Sequence, residues 1–305
     1  MTLNLVIIGK TGQLAQALGR ELSKGDYDVT FLSRSDLDLS WDEARISGVI
    51  ASLPQSIDAV ILAAAYTAVD AAEDDEPLAF AVNTNAPGFI AKACAARKLP
   101  LVHISTDYVF DGRSRVPYRP EDKTGPINVY GLSKLAGEGR VLESGARSVI
   151  LRTSWVFAGQ GANFMMSMLR LAQSRHELSI VDDQIGRPTY AGHLAEAIRH
   201  AADKLCRDPK FHGGLYHVTG HGDPVSWAGF AQAIFREVSG ELPQPMTVTR
   251  IPTRDYPTPA ARPAYSVLDM GGFEKDIGYK MPNWQDGLLA ALVERRSSHG
   301  KKDET

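Results

Sequence analysis

Cysteine is scarce: Cys94 and Cys206 are the only two in 305 residues. Two thiols cannot build a disulfide framework, so a reducing compartment, the cytoplasm, is expected. Charge of one sign is also missing. The 36 acids and 33 bases leave a formal charge of −3, which gives no global reason for nucleic acid or an anionic membrane as partner. No apolar run reaches membrane-spanning length, and the run at Leu3 to Ile8 is too short for a signal-peptide core. Repeats and low-complexity blocks are absent, and a polar tail from Arg295 to Thr305 is expected to fray. What remains is ordinary globular composition, 44% hydrophobic and 23% charged. The length allows two domains, or one large α/β domain with a second lobe.

The first sixty residues alternate short apolar runs with helical patterns. Leu3 to Ile8 reads as a strand, and Gly9-Lys10-Thr11-Gly12-Gln13-Leu14-Ala15 follows it directly. Leu14, Ala17, Leu18 and Leu22 then recur at helical spacing. Strand, glycine turn and helix form the context in which such a loop binds a pyrophosphate: Gly9 permits the turn and Gly12 lets backbone approach the anion at the helix N-terminus. Tyr27 to Leu32 reads as a second strand, ending at Ser33-Arg34-Ser35-Asp36. NAD-preferring sites place an acid there, whereas Ser33 and Arg34 suit a 2′-phosphate. NADPH is therefore the expected cofactor, with NADH second; a surface arginine without a ligand is the plain alternative. Asp38 follows near where an adenine would lie.

A helix is expected over Trp41 to Leu53, then a strand over Ala59 to Leu62 running into Ala63-Ala64-Ala65-Tyr66-Thr67. Small residues at a strand end let a flat ligand lie against backbone. The acidic run Glu73-Asp74-Asp75-Glu76 reads as a solvated face or helix start, since no His or Cys accompanies it. A long helix is expected over Ala79 to Arg97, and a strand over Leu99 to Ser105 that places Thr106 at its end. In open α/β sheets ligands bind beyond the carboxyl ends of strands. The alternation predicts a doubly wound parallel sheet of the Rossmann type. Its domain is expected to span 1–155. Residues 156–305, with a helix over Asn163 to Ala172, a loop at Gln184 to Thr189 and a proline-rich stretch at Pro252 to Pro263, are expected to form mainly a substrate-binding lobe, with some segments returning to the first domain.

Tyr130-Gly131-Leu132-Ser133-Lys134 opens the next helix and places a phenol and an ammonium at i and i+4, on one face. A nearby cation favours phenolate, so Lys134 is expected to lower the pKa of Tyr130 toward the range of an acid–base catalyst. Taken alone, this spacing also occurs by chance on many helices.

Six motifs in order resemble the extended short-chain dehydrogenase/reductases, and within them the dTDP-4-dehydrorhamnose reductase family. They are the glycine loop from Gly9 to Leu14, Ala65-Tyr66-Thr67-Ala68-Val69-Asp70, Ser105 to Gly112, Tyr130 to Lys134, Arg152-Thr153-Ser154-Trp155-Val156, and Asp183 to Thr189 with Tyr256-Pro257-Thr258-Pro259 and Arg262-Pro263. The resemblance implies reduction of the C4 keto group of a dTDP-4-keto-6-deoxyhexose by NAD(P)H. It implies Tyr130 as proton donor, Lys134 as its partner and holder of the nicotinamide ribose, and Thr106 as the group polarising the carbonyl. Gly9, Thr11, Gly12, Gln13 and Leu14 would cradle the pyrophosphate. Asp38 and Leu39 would lie by the adenine, with Ala64, Ala65, Tyr66 and Thr67 along the cofactor. Thr106, Asp107, Tyr130 and Trp155, joined by Asn163, Arg187 and Arg262, are the substrate-side candidates.

Some members of that family hold a divalent ion through an acid in the helix after the glycine loop. This chain reads Ala15-Gln16-Ala17 there, so no metal is expected, and a homodimer is the partner state left open. Dehydratases of the superfamily carry an Asp-Glu pair after the threonine where this chain has Asp107-Tyr108, and epimerases usually carry an acid after the second strand. A regulatory role, as in the β subunit of methionine adenosyltransferase, would not need the proton donor.

Overall fold

The computed structural model describes residues 2–300, and side chains as far as Ser297. In chain order, β1 (Leu3–Ile8), α1 (Gln13–Leu22), β2 (Tyr27–Leu32), α2 (Glu43–Ser52) and β3 (Ala59–Leu62) alternate strictly. Two short helices, α3 (Val69–Asp74) and α4 (Glu76–Phe80), pass through a π-turn at Ala81–Asn85 into α5 (Ala86–Arg97), which leads to β4 (Leu101–Thr106). The expected single helix from Ala79 thus contains a widened turn, and the expected strand from Leu99 starts two residues later. The acidic run acts at helix starts: Asp75 accepts from Leu78 N–H at 3.3 Å.

Next come α6 (Val129–Glu143), β5 (Ser148–Thr153), β6 (Val156–Phe157), α7 (Phe164–Leu171) and β7 (Glu177–Val181). The stretch at Gln184 to Thr189, expected as a loop, instead contains β8 (Ile185–Gly186) and β9 (Thr189–Tyr190). Both are too short to leave a periodic signature, and each is held by a distant partner. The chain ends with α8 (Ala191–Arg207), β10 (Gly213–His217), β11 (Val225–Ser226), α9 (Trp227–Glu237), β12 (Thr247–Ile251), α10 (Gly271–Ile277) and α11 (Trp284–Gly300). The polar tail is therefore helical as far as Gly300, and residues 301–305 lie outside the described residues.

Six parallel strands in the order β10-β5-β4-β3-β1-β2 make a Rossmann-type sheet. Both faces are covered, which explains the near-continuous apolar runs. Leu5, Ile7, Ile61, Val102 and Val149 turn toward α1 and α8. Val6, Ile8, Val60, Leu62 and Ile150 turn toward α2 and α5. Strand order reverses at β1, so the carboxyl ends of β1 and β3 open the crevice where such sheets bind ligands.

Most buried residues after 155 divide between two cores, while Leu268 joins Val109, Phe110 and Tyr118 in a smaller one. Helix α8, β10 and α10 pack with the sheet, whereas Phe157, Met165, Phe230, Trp284 and Leu288 join α7, α9 and α11 in a separate core. Three two-stranded pairs, β6–β9, β7–β12 and β8–β11, tie that second core together.

Helix α6 packs directly on the π-turn. A Cβ at Gly137 would lie 2.0 Å from the Asn83 carbonyl oxygen, whereas one at Gly139 would meet nothing within 4 Å. Gly137→Ala is expected to destabilise the protein by about 1–3 kcal/mol through overpacking. Gly139→Ala, which only restricts the unfolded chain, should stabilise it by about 0.4–1 kcal/mol. Urea unfolding of the two variants beside the parent checks the opposite signs.

Candidate active site

The crevice is a cavity of about 800 Å³ at the carboxyl ends of β1, β2, β3, β4 and β5, within the range of small-molecule sites, roughly 300–1,000 Å³. At one end, Gly9 has φ +113°, and a Cβ there would press on Ala64 at 3.2 Å. Gly12 is the N-cap of α1, with no side chain capping the helix and no acid in its first turn. The N–H groups of that turn are left for an anion. Gln13 is anchored across the crevice, its amide donating to the Val156 carbonyl at 3.1 Å.

At the end of β2, Ser33, Arg34, Asp38 and Leu39 line the same cavity. Ser33 N–H and hydroxyl both bond Asp36, fixing the turn. Arg34 is 81% exposed and its Nε donates to Asp38 at 2.9 Å, a surface pair that a bound anion can exchange for itself. Beyond β3, Ala64, Ala65, Tyr66 and Thr67 form a wall. One residue holds it: Tyr66 N–H donates to Asn83 Oδ1 at 2.9 Å, and Asn83 Nδ2 donates to the Tyr66 carbonyl at 3.0 Å and to Ser133 Oγ at 3.1 Å. Asn83 thereby couples the cavity wall to α6.

Thr106, Tyr130 and Lys134 converge on the other wall. Helix α6 starts where it does because Asn128 caps it, accepting from Gly131 N–H at 2.7 Å, while Glu73 accepts from Val129 N–H at 2.9 Å. Tyr130 sits edge-on to Tyr108, ring centres 5.5 Å apart. Burial pushes the Tyr130 phenol up to about 12, with the Thr106 hydroxyl working the other way. Burial also brings Lys134 down to about 8, and its ammonium donates to the Ile104 carbonyl at 2.7 Å. The expected lowering of the Tyr130 pKa by Lys134 is thus not what these two groups show. Desolvation dominates the Tyr130 shift, and the Lys134 ammonium is engaged with the backbone of β4.

Beside them Asp107 is 2% exposed. It accepts from the Thr106 hydroxyl at 3.0 Å, and burial raises its carboxyl to about 6. Asp107 Oδ2 and Thr153 Oγ1 are buried without a hydrogen-bond partner among the described residues, and both residues line the cavity. Such atoms suit a polar ligand. Trp155 also lines it, held at φ +48° and stacked on Trp227 with ring centres 3.5 Å apart.

The other three substrate-side candidates do not line this cavity. Asn163 spends its side chain as the cap of α7 and on the Ala158 and Gln160 carbonyls. Arg262 is locked in a bidentate pair with Asp70, both bonds at 2.6 Å. Arg187 donates to the Leu268 carbonyl at 3.3 Å. Sequence reading also passed over residues that matter: Asn83, whose trace was a polar Asn-Thr-Asn run inside an apolar helix, and the cavity-lining Tyr108, Thr153 and Ser154. Among the described residues, no group of three or more His, Cys, Asp and Glu is placed to hold a metal ion.

Residues 3–297 match a family model described as the RmlD substrate binding domain. The chain is 40% identical over 295 residues to the dTDP-4-dehydrorhamnose reductase of Sinorhizobium fredii, covering 95% of this chain and 98% of that protein. It is 42% identical over 290 residues to the reductase of the same name from Burkholderia thailandensis, covering 93% and 96%. Among solved structures, it is similar to dTDP-4-dehydrorhamnose reductase from Bacillus anthracis in complex with NADP, with a TM-score of 0.87 and 35% identity, covering 96% of this chain and all of that one.

A raised carboxyl pKa makes folding favour the protonated form. The stabilisation is complete below the unfolded value of about 3.9 and lost as pH rises through about 6. Asp107→Asn keeps an acceptor for Thr106 but cannot ionise. It should therefore be more stable than the parent above pH 6, by roughly 2–3 kcal/mol at pH 7, an advantage fading toward pH 4. Urea midpoints across that range decide it; a constant difference would show that ionisation of Asp107 carries no cost.

Proposed function

We infer that the chain, which belongs to the dTDP-4-dehydrorhamnose reductase family, reduces the C4 keto group of dTDP-6-deoxy-L-lyxo-4-hexulose (dTDP-4-dehydro-L-rhamnose) to dTDP-L-rhamnose, the last step of dTDP-rhamnose biosynthesis. The observation that carries this reading is the convergence of Thr106, Tyr130 and Lys134 on one wall of a cavity whose other end is an uncapped helix N-terminus. NADPH is the cofactor, with NADH as a second choice.

The residues fit that cofactor. Gly9 and Gly12 bring backbone close to where a pyrophosphate would lie, and the first turn of α1 offers N–H groups without a competing acid. Arg34 supplies the cation for a 2′-phosphate, while Leu39 and the Ala64–Thr67 wall offer apolar and backbone contact. When bound, NADPH supplies the hydride.

The chain's own residues handle the oxygen. Hydride addition builds negative charge on the carbonyl oxygen, and two hydroxyls aimed there stabilise that charge more than they stabilise the ketone. Tyr130 gives the proton. Its high pKa keeps that proton in place until an alkoxide, more basic than a phenolate, forms beside it. Thr106 is turned by Asp107 and Tyr108, donating to the first and accepting from the second at 3.2 Å, and must redirect its hydroxyl to serve the substrate. Lys134 places an ammonium behind Tyr130 that eases the phenolate left after transfer. On the sugar side, Asp107 Oδ2, Thr153 Oγ1 and the Trp155 ring supply polar and stacking contacts. The lobe built around α7, α9 and α11 is the element that selects the sugar. The thiols of Cys94 and Cys206, unpaired in the fold, favour a cytoplasmic enzyme.

Incubation with dTDP-4-keto-6-deoxyhexose and NADPH tests the reading. Stoichiometric loss of nicotinamide absorbance is expected, and interconversion of sugars without net loss would instead mean an epimerase. Tyr130→Phe should cut turnover by about 10²-fold or more, the lower range of general-acid effects, while cofactor binding persists. Near-normal turnover would remove Tyr130 as proton donor. Arg34→Ala should weaken NADPH more than NADH, as read by titration calorimetry; equal losses would mean that Arg34 does not read the 2′-phosphate.

A further inference from the structure

Lys134 presents an electrostatic problem. Its side chain is buried, and among the described residues its hydrogen-bond acceptor is a neutral carbonyl, that of Ile104. An ammonium taken out of water with no opposite charge gives up its proton rather than stay charged. The neighbours on β4 and β10 give no help. His103 is buried with both ring nitrogens unpartnered, and burial, then the adjacent Lys134, hold its pKa far below the usual value. His217 is held down to about 3 by burial and by Arg152. Tyr130, on the same helix, keeps its proton. Asp107, at the end of β4, acts on Tyr130 and Tyr108.

One carboxylate remains. Glu138 stands one helical turn after Lys134 on the same face of α6 and is 2% exposed. It is gripped on every side. Arg152 of β5 bonds it through Nε at 2.9 Å and Nη2 at 2.7 Å, and Ser105 of β4 donates to its Oε1. Arg152 is itself held by the Pro120 carbonyl at 3.2 Å and lies over the Phe110 ring. The grip fixes a negative charge one helical turn from Lys134.

We propose that Glu138 is the counter-charge that keeps Lys134 an ammonium, a positioning residue for the reduction whose own place is set by Arg152 and Ser105. The proposal rests on the reductase reading for its catalytic consequence, though not for its electrostatics. A plain structural staple between α6 and β5 would use the same ion pair, so the test must read the charge on Lys134.

In the parent enzyme, kcat/KM is expected to fall as pH rises through about 8, where Lys134 loses its proton. Removing a negative neighbour disfavours the ammonium, so Glu138→Gln should move that fall about 1–2 pH units lower and recover activity toward the acid side. Glu138→Asp should lie between. Should Glu138→Gln fail to fold around the orphaned guanidinium, Glu138→Gln with Arg152→Met is compared with Arg152→Met alone, so that only the Glu138 charge differs, and the same downward shift is expected. The direct readout needs neither cofactor nor turnover: NMR titration of ε-13C-labelled lysine, with Lys134 assigned through Lys134→Arg. A lower Lys134 midpoint in the variant supports the proposal. An unchanged midpoint, or activity lost equally at every pH, overturns it. Absence of turnover in the parent would refute the reductase reading alone, because the NMR midpoint still decides the role of Glu138.

Discussion

The structure turns on the seating of one helix. Helix α6 carries Tyr130, Lys134 and Glu138 on the face it presents to β4 and β5, and all three are buried. Burying a charge is tolerable only when it is paired and hydrogen-bonded. That requirement fixes the helix in rotation and along its axis, since a shift of one residue would separate Lys134 from the Ile104 carbonyl and Glu138 from Arg152 and Ser105 together. A hydrophobic face of equal area would hold the helix with less demand on register. The polar one costs desolvation and returns geometry: a phenol aimed into the crevice beside Thr106.

The same helix is tied to the opposite wall. Ser133 donates to the Tyr130 carbonyl at 2.8 Å and accepts from Asn83, whose amide also brackets Tyr66. Thr84 donates to the Ser133 carbonyl at 2.7 Å. The π-turn that carries Asn83 and Thr84 widens the backbone so that these side chains reach inward, a use to which such turns are often put at functional sites. Both walls of the cavity therefore refer to one turn of α6, and the distance between the wall at Tyr66 and the hydroxyl of Tyr130 is set by short bonds, not by loops.

Much of this was legible in the sequence because it is local. A glycine loop between a strand and a helix, and a tyrosine four residues before a lysine, are patterns whose geometry follows from periodicity alone. The sheet was legible for the same reason, as apolar runs at regular spacing. What escaped needs partners far apart in the chain. Short strands β8 and β9 are held by distant partners, β8 by β11 and the segment at Tyr265, and β9 by β6. Arg262 looked like a substrate ligand by its motif, yet Asp70, 192 residues earlier, holds it outside the cavity lining. Asn163, expected at the start of a helix, caps α7 and does not line the cavity.

The direction of the Tyr130 shift was missed for a related reason. Spacing shows that a cation is near, but not how much water is excluded, and desolvation depends on the whole fold. The outcome bears on the role proposed for Tyr130. A base that removes a proton from an alcohol needs a phenolate at working pH, and a phenol pushed up to about 12 supplies little of it. A donor has the reverse need: it must keep its proton through binding and release it only to an oxygen that hydride addition has made strongly basic. Burial serves such a donor, and in the mechanism proposed above the Lys134 ammonium lowers the cost at the moment the proton leaves. The desolvation that seals α6 against the sheet thus also suits the proton-donor role proposed for Tyr130.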